Sequence, residues 1–287
     1  MRLIKPSYEI WQQPSGLEGV YKQIERVGRV CYKSEDKITE DSAKPFVDRM
    51  IKSGHGAMLE HGTVYLKITY KYTNFTTLCM FYGKNKYSVL NHSEDNKIYY
   101  ITTNYRVLVE NNHLSDLKYL CEPSEFHEKR ITVHFVCDRG VSHEFVRHRV
   151  FSFAQESTRY CNYSKDKFDN ELTFIQPCWL DDERLKLYRP YHTVIRDKSP
   201  ESIFIANLNN AERDYLDLIE LGWKPQEARA VLPNSLKTEL VVTGFTSDWE
   251  KFFGLRARGT TGAPHPQAKE LAEPLMEEFI TRKYINN

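Results

Sequence analysis

What most constrains this chain is the irregular order in which strand-like and helix-like segments follow one another. Residues 63–70, 131–137 and 236–245 are rich in β-branched and aromatic side chains and predict strands. Further strands are expected over 97–110 and, as a short apolar run, over 172–175. Val20, Ile24, Val27 and Val30 recur at helical spacing and predict a helix over 17–32. A second helix is expected over 40–53, with Phe46, Met50 and Ile51 on its apolar side and Gly54 just past its end. Others are expected over 141–150, 200–221, 224–231, 247–258 and 266–283. Strands and helices mix without a steady strand–helix–strand rhythm, so α+β is the expected class. Residues 72–130 carry polar turns around one strand and read as an insertion on the core. Glycine is sparse, 13 in 287 residues, so flexible linkers are not expected and residues 1–287 read as one domain.

Charge narrows the function classes. Lys plus Arg is 40 against 39 Asp plus Glu, which argues against a surface that grips nucleic acid along its length. The balance is not uniform, because residues 139–165 hold five cations against two carboxylates. No run of about 18 apolar residues exists, so no membrane span is expected. The first residues lack the apolar stretch of a signal peptide, and the six cysteines are scattered without CxxC. Reduced thiols, a cytoplasmic location and no metal site are therefore expected.

Neither GxxxxGK[ST] nor GxGxxG after a strand is present. A phosphate site must then use side chains, chiefly the planar fork of arginine. The densest candidate is Ser142-His-Glu-Phe-Val-Arg-His-Arg-Val-Phe-Ser-Phe-Ala-Gln-Glu-Ser-Thr-Arg-Tyr160. A helix through Val150 would turn Arg147 and Arg149 in different directions. An extended backbone at 157–159 would put Ser157 and Arg159 on one side. Basic residues at a helix end also occur as a solvated, dipole-stabilising face. A Cys nucleophile at Cys178 would be one alternative chemistry, but no His follows it, and its place after the 172–175 strand reads as a core thiol. A second alternative is an RNA-binding module using Arg147-His148-Arg149 and the abundant aromatic rings.

Arg147-His148-Arg149, seven residues and then Ser157, resembles the signature of the flavin-dependent thymidylate synthases, as does the following Thr158-Arg159-Tyr160. Four more segments resemble that family in the same order. They are Ser53-Gly-His-Gly-Ala-Met-Leu-Glu-His61, Glu227-Ala-Arg-Ala-Val-Leu-Pro233, the segment from Thr243 to Arg256, and His265-Pro-Gln-Ala-Lys-Glu270. The resemblance implies an antiparallel sheet with flanking helices. It implies methylation of dUMP to dTMP, with methylenetetrahydrofolate as carbon donor, reduced FAD as hydride donor and NADPH as reductant. It implies a homotetramer whose active sites are shared between chains, with dUMP and folate as small-molecule partners and neither nucleic acid nor membrane. By the same resemblance Glu144, Arg147, Gln155, Glu156, Ser157, Thr158, Arg159 and Arg229 match dUMP-binding positions. His55, Ala57, Arg147, His148, Arg149, Gln155 and Lys251 match FAD-binding positions, and Arg256 matches the catalytic arginine. Cys31 stands where members often carry Ser.

Overall fold

A computed structural model describes residues 1–71, 75–93, 97–180 and 199–286. Its described elements, in chain order, begin with strands β1 (Arg2–Ile4) and β2 (Ser7–Trp11), then helices α1 (Gly16–Tyr32), α2 (Ala43–Lys52) and α3 (Gly56–Leu59). Strand β3 (Thr63–Thr69), helix α4 (Phe75–Leu78), strands β4 (Val89–Ser93) and β5 (Ile98–Asn104) and helix α5 (Tyr105–Glu110) follow. Then come β6 (Arg130–Asp138), α6 (Arg139–Phe145), β7 (Ser152–Gln155) and β8 (Thr173–Ile175). The chain finishes with α7 (Pro200–Glu220), α8 (Pro225–Ala228), β9 (Lys237–Phe245), α9 (Thr246–Arg256) and α10 (Pro266–Thr281). Among the described residues no helix is long and apolar enough to cross a membrane.

The expected mixture of helix and antiparallel sheet is present. A four-stranded antiparallel sheet runs β2-β6-β9-β7, and a three-stranded one runs β3-β5-β4. β1 and β8 pair in parallel as a third, two-stranded sheet. β9 lies inside the larger sheet, and eight of its nine residues are buried, which suits a strand covered on both faces. One face packs Val133, Phe135 and Val242 against Trp249, Phe252 and Phe253 of α9 and Leu275 and Phe279 of α10. The other face sets Val241 and Ala154 against Val27 and Val30 of α1. α1 is thus apolar where it meets the sheet and also where Ile24 joins Phe46 and Val47 of α2.

The described residues between 75 and 130 pack onto this body. β5 pairs along its whole length with β3, and Ile101, Tyr105 and Leu108 share a core with α1 and α2. The strand expected over 97–110 stops at Asn104, where the Asn104 side chain accepts the Val107 amide and starts α5. The β-branched Val107 and Val109 mislead propensity there, because the local cap overrides it.

The helix expected over 141–150 is also shorter. Asp138 caps α6 by accepting the Val141 amide, and the helix ends at Phe145. Two backbone bonds, His148 N to Phe145 O and Phe151 N to His148 O, fold the next residues into turns. This brings Phe151 back onto the core beside Trp249, ring centroids 4.7 Å apart. Gly244 of β9 makes room for it, since a Cβ there would lie 2.0 Å from Phe151 Cδ1. Ser157 and Arg159 likewise sit in a turn, not an extended strand, with Tyr160 N and Cys161 N donating to Ser157 O.

Candidate active site

Three residues expected at the site, two from the 142–160 segment and one from the 243–256 segment, meet in one cluster. Arg256, the last residue of α9, donates from Nη1 to Glu144 Oε2 at 2.6 Å and from Nη2 to the Glu144 carbonyl at 2.9 Å. Its Nε donates to His148 Nε2 at 3.1 Å. A guanidinium can only donate, so Nε2 must be the unprotonated nitrogen of the imidazole and Nδ1 carries the proton. Burial, then the Arg256 charge, pushes His148 down to about 4. Phe252 flanks its ring with centroids 5.0 Å apart, and Phe151 lies 6.2 Å away. The middle residue of the basic triplet is therefore neutral and turned inward, while Arg147 and Arg149 are exposed.

His61, wholly buried with Nδ1 2.8 Å from Thr243 Oγ1, is pushed down to about 3 by burial and then by Arg130. Both imidazoles bind fewer protons in the folded chain than in the unfolded one between their folded values and about 6.5. Stability is expected to hold above that pH and to fall on acidification, by roughly 1.4 kcal/mol per pH unit for each ring. Histidine NMR titration should find His148 neutral at pH 6; a midpoint near 6.5 would contradict this environment.

Gln155, Glu156, Ser157, Thr158, Arg159 and Arg229 form a second group at and beyond the end of β7. Gln155 Nε2 donates to Ser142 Oγ at 2.9 Å and to Thr238 Oγ1 at 3.2 Å. Ser157 N donates to Cys31 O at 3.0 Å, and Ser157 Oγ accepts the Arg159 amide at 3.3 Å. Arg229 Nη1 donates to Thr158 Oγ1 at 3.3 Å, and Arg159 Nε donates to Gln226 Oε1 at 3.1 Å. Glu156 turns away from these neighbours. Its carboxylate accepts from Lys237 Nζ at 2.9 Å and from Tyr163 OH at 3.1 Å.

Lys237 is a residue the sequence reading missed. Its ammonium lies between Glu156 and Glu239, and Glu239 also binds Lys33 at 2.8 Å and His134 at 2.9 Å. Burial tends to lower the Lys237 ammonium, but Glu156 and Glu239 outweigh it and raise it. Burial likewise tends to raise Glu239, and His134, Lys237 and Lys33 hold it well below the usual carboxylate range. The signal for this network was the alternation in Lys237-Thr-Glu239, which puts both charges on one face of a strand.

The expected flavin positions are dispersed. A Schellman motif, with Gly54 at φ 70° and His55 N bonded to Met50 O, closes α2 and sets His55 beside a recess of about 490 Å³. Tyr32, Phe46 and Arg49 share that lining. Ala57 follows in α3 and is exposed. Lys251 pairs with Asp248 at 3.1 Å and is largely exposed. The thiol of Cys178 is exposed and not in the core, because the chain leaves the sheet after β8. Burial raises its pKa, which is the wrong direction for a nucleophile.

The profile of the family described as thymidylate synthase complementing protein matches residues 70–282. A flavin-dependent thymidylate synthase of Pyrococcus horikoshii is 32% identical over 52% of this chain and 54% of its own length. One of Corynebacterium aurimucosum is 25% identical over 86% of this chain and 72% of its own length. The chain spans about half the length of the archaeal relatives it matches. Among solved structures, the UMP/dUMP methylase PolB of Streptomyces cacaoi superposes with a TM-score of 0.45 at 16% identity, covering 98% of this chain and 93% of that one.

Proposed function

The chain belongs to the thymidylate synthase complementing protein family, and on that premise we propose that it methylates dUMP at C5 to give dTMP. The reading rests on one observation. Glu144, His148 and Arg256, 112 residues apart at the extremes, share one hydrogen-bonded cluster. Methylenetetrahydrofolate is the carbon donor and NADPH the reductant.

Carbon–carbon bond formation requires uracil C5 to be electron-rich. A fixed guanidinium beside the ring favours the ionised pyrimidine electrostatically, which is the role assigned to Arg256. Arginine does not act as a base near neutral pH, so its part is charge and position. Glu144 holds it in place, and neutral His148 accepts from it without adding a competing cation. Arg147, Arg159 and Arg229 supply cations for the substrate phosphate, and Gln155, Ser157 and Thr158 supply polar contacts from side chain or backbone. Glu156 contributes through its backbone, since its carboxylate is committed to Lys237 and Tyr163. Among the described residues Ser157 Oγ meets no imidazole, which fits binding in preference to nucleophilic attack.

FAD, when bound and reduced, supplies the hydride that completes the methyl group. The residues fit such a dinucleotide. Arg147 and Arg149 are exposed cations available to a pyrophosphate, and the recess at His55 offers aromatic and cationic lining. His55, Ala57, Arg147, His148, Arg149, Gln155 and Lys251 are the residues that would hold it. These positions are spread widely over one chain, which supports a homotetramer with sites shared between subunits. The free thiols of all six cysteines accord with a cytoplasmic location.

The protein is expected to be yellow, or to become so with FAD, and to bleach with NADPH. With dUMP, methylenetetrahydrofolate, FAD and NADPH it should form dTMP and release tritium from C5-labelled substrate. A colourless protein that cannot be reconstituted with FAD would sink the assignment.

A further inference from the structure

Arg139 belongs to none of the positions carried over from the family resemblance. It opens α6 and lines a recess of about 520 Å³ together with Thr158, Gln226, Arg229 and Asn234. No carboxylate lines that recess among the described residues. Arg159 reaches it indirectly, through its bond to Gln226. Arg139 Nη1 is shut off from solvent and has no hydrogen-bond partner. Buried donors almost always find an acceptor, and an unmet donor on a charged group is costly. The backbone around it is fixed, because Arg139 N donates to Asn234 O at 2.9 Å and to Leu236 O at 3.2 Å. Arg147, by contrast, is absent from this lining.

We propose that Arg139 is a substrate-binding residue that joins Arg229 in holding the phosphate dianion of the nucleotide in this recess. The proposal rests on the dUMP reading and sharpens it by naming the phosphate subsite. A phosphomonoester offers what the recess lacks, a compact, doubly charged group of acceptors for forked donors. Nη1 being closed to solvent, the contact falls to what Arg139 presents to the recess beside Arg229. Arg139 thus adds a cation to the phosphate set within one chain, and Arg147, which does not line the recess, would join that set from another subunit.

Equilibrium binding to the FAD-loaded enzyme tests this with three probes: dUMP, deoxyuridine and inorganic phosphate. Arg139→Gln should weaken dUMP and inorganic phosphate by about 10- to 100-fold and leave deoxyuridine unchanged. Arg139→Lys, which keeps the charge and loses the fork, should recover part of that loss. FAD content and melting temperature should stay at wild-type values in the lysine variant. Unchanged dUMP and phosphate affinity in both variants would overturn the proposal. So would an equal loss for dUMP and deoxyuridine, which marks a structural role. A wild-type enzyme that binds phosphate but not dUMP would defeat the dUMP reading alone, and the phosphate arm would still decide the place of Arg139.

Discussion

Arg256→Ala is expected to lower the turnover number for dTMP formation by about three orders of magnitude, the scale seen when one preorganised charge is removed from a developing anion. FAD content should be retained, because no flavin position depends on the Arg256 side chain except through His148. The substitution leaves the half-exposed Glu144 carboxylate without its cation and His148 Nε2 without its donor. A loss of about 1–2 kcal/mol in stability should accompany it, too little to unfold the protein. Arg256→Lys is the informative companion. Lysine restores a charge but cannot reach both Glu144 oxygens and His148 as a planar fork does. It should recover only a small part of the rate. Turnover within tenfold of wild type in the alanine variant, measured at saturating dUMP and folate, would rule out the catalytic role. Loss of bound flavin in that variant would shift Arg256 from catalysis to cofactor binding.

Lys237→Met should give the largest loss of stability of any single change at the candidate site, about 3–5 kcal/mol. The reason is what stays behind. Glu156 is 1% exposed and Glu239 is 11% exposed, and both bind the same ammonium. Without it, two carboxylates face each other in a region too dry to screen them. Lys33 and His134 still serve Glu239, but among the described residues the Glu156 carboxylate keeps only the Tyr163 hydroxyl. Urea unfolding at pH 7 checks the magnitude, and a midpoint equal to wild type would exclude the network as a stabilising feature. Acid gives a second check. Glu239 has a folded pKa below its ordinary 4.5, so its contribution is present above that value and is lost as pH falls further. The gap between variant and wild type should therefore narrow as the pH is lowered below about 4.5.

Strands β3, β6 and β9 were legible because their composition is unambiguous, whereas β1, β2, β4 and β7 are short and carry no such run. Thr63 to Thr69 alternates buried Val64, Leu66 and Ile68 with more exposed partners, and the sequence pattern displays this directly. The ends of elements were not. Residues 105–110 look like a continued strand until the Asn104 cap is considered, and the reach of α6 depends on where Phe151 must be buried. Neither fact is local. The cationic triplet was visible as a cluster, yet its division into one neutral inward ring and two exposed arginines follows from the aromatic wall at Phe252, about a hundred residues away. Lys237 and Arg139 escaped because each was judged by its own surroundings in sequence. Their meaning comes from partners brought close by β9 and by the loop at Asn234.

Gly244 has a consequence for this arrangement that its sequence does not announce. The volume a methyl group would need there is filled by Phe151, whose backbone closes the turn displaying Arg147, His148 and Arg149. How far those three side chains stand off the sheet is thus set from behind, by one hydrogen atom on a strand that carries no part of the triplet. The position is apolar, uncharged and buried, and searches for site residues by charge would pass over it. The clearance it leaves is nonetheless a dimension of the candidate site.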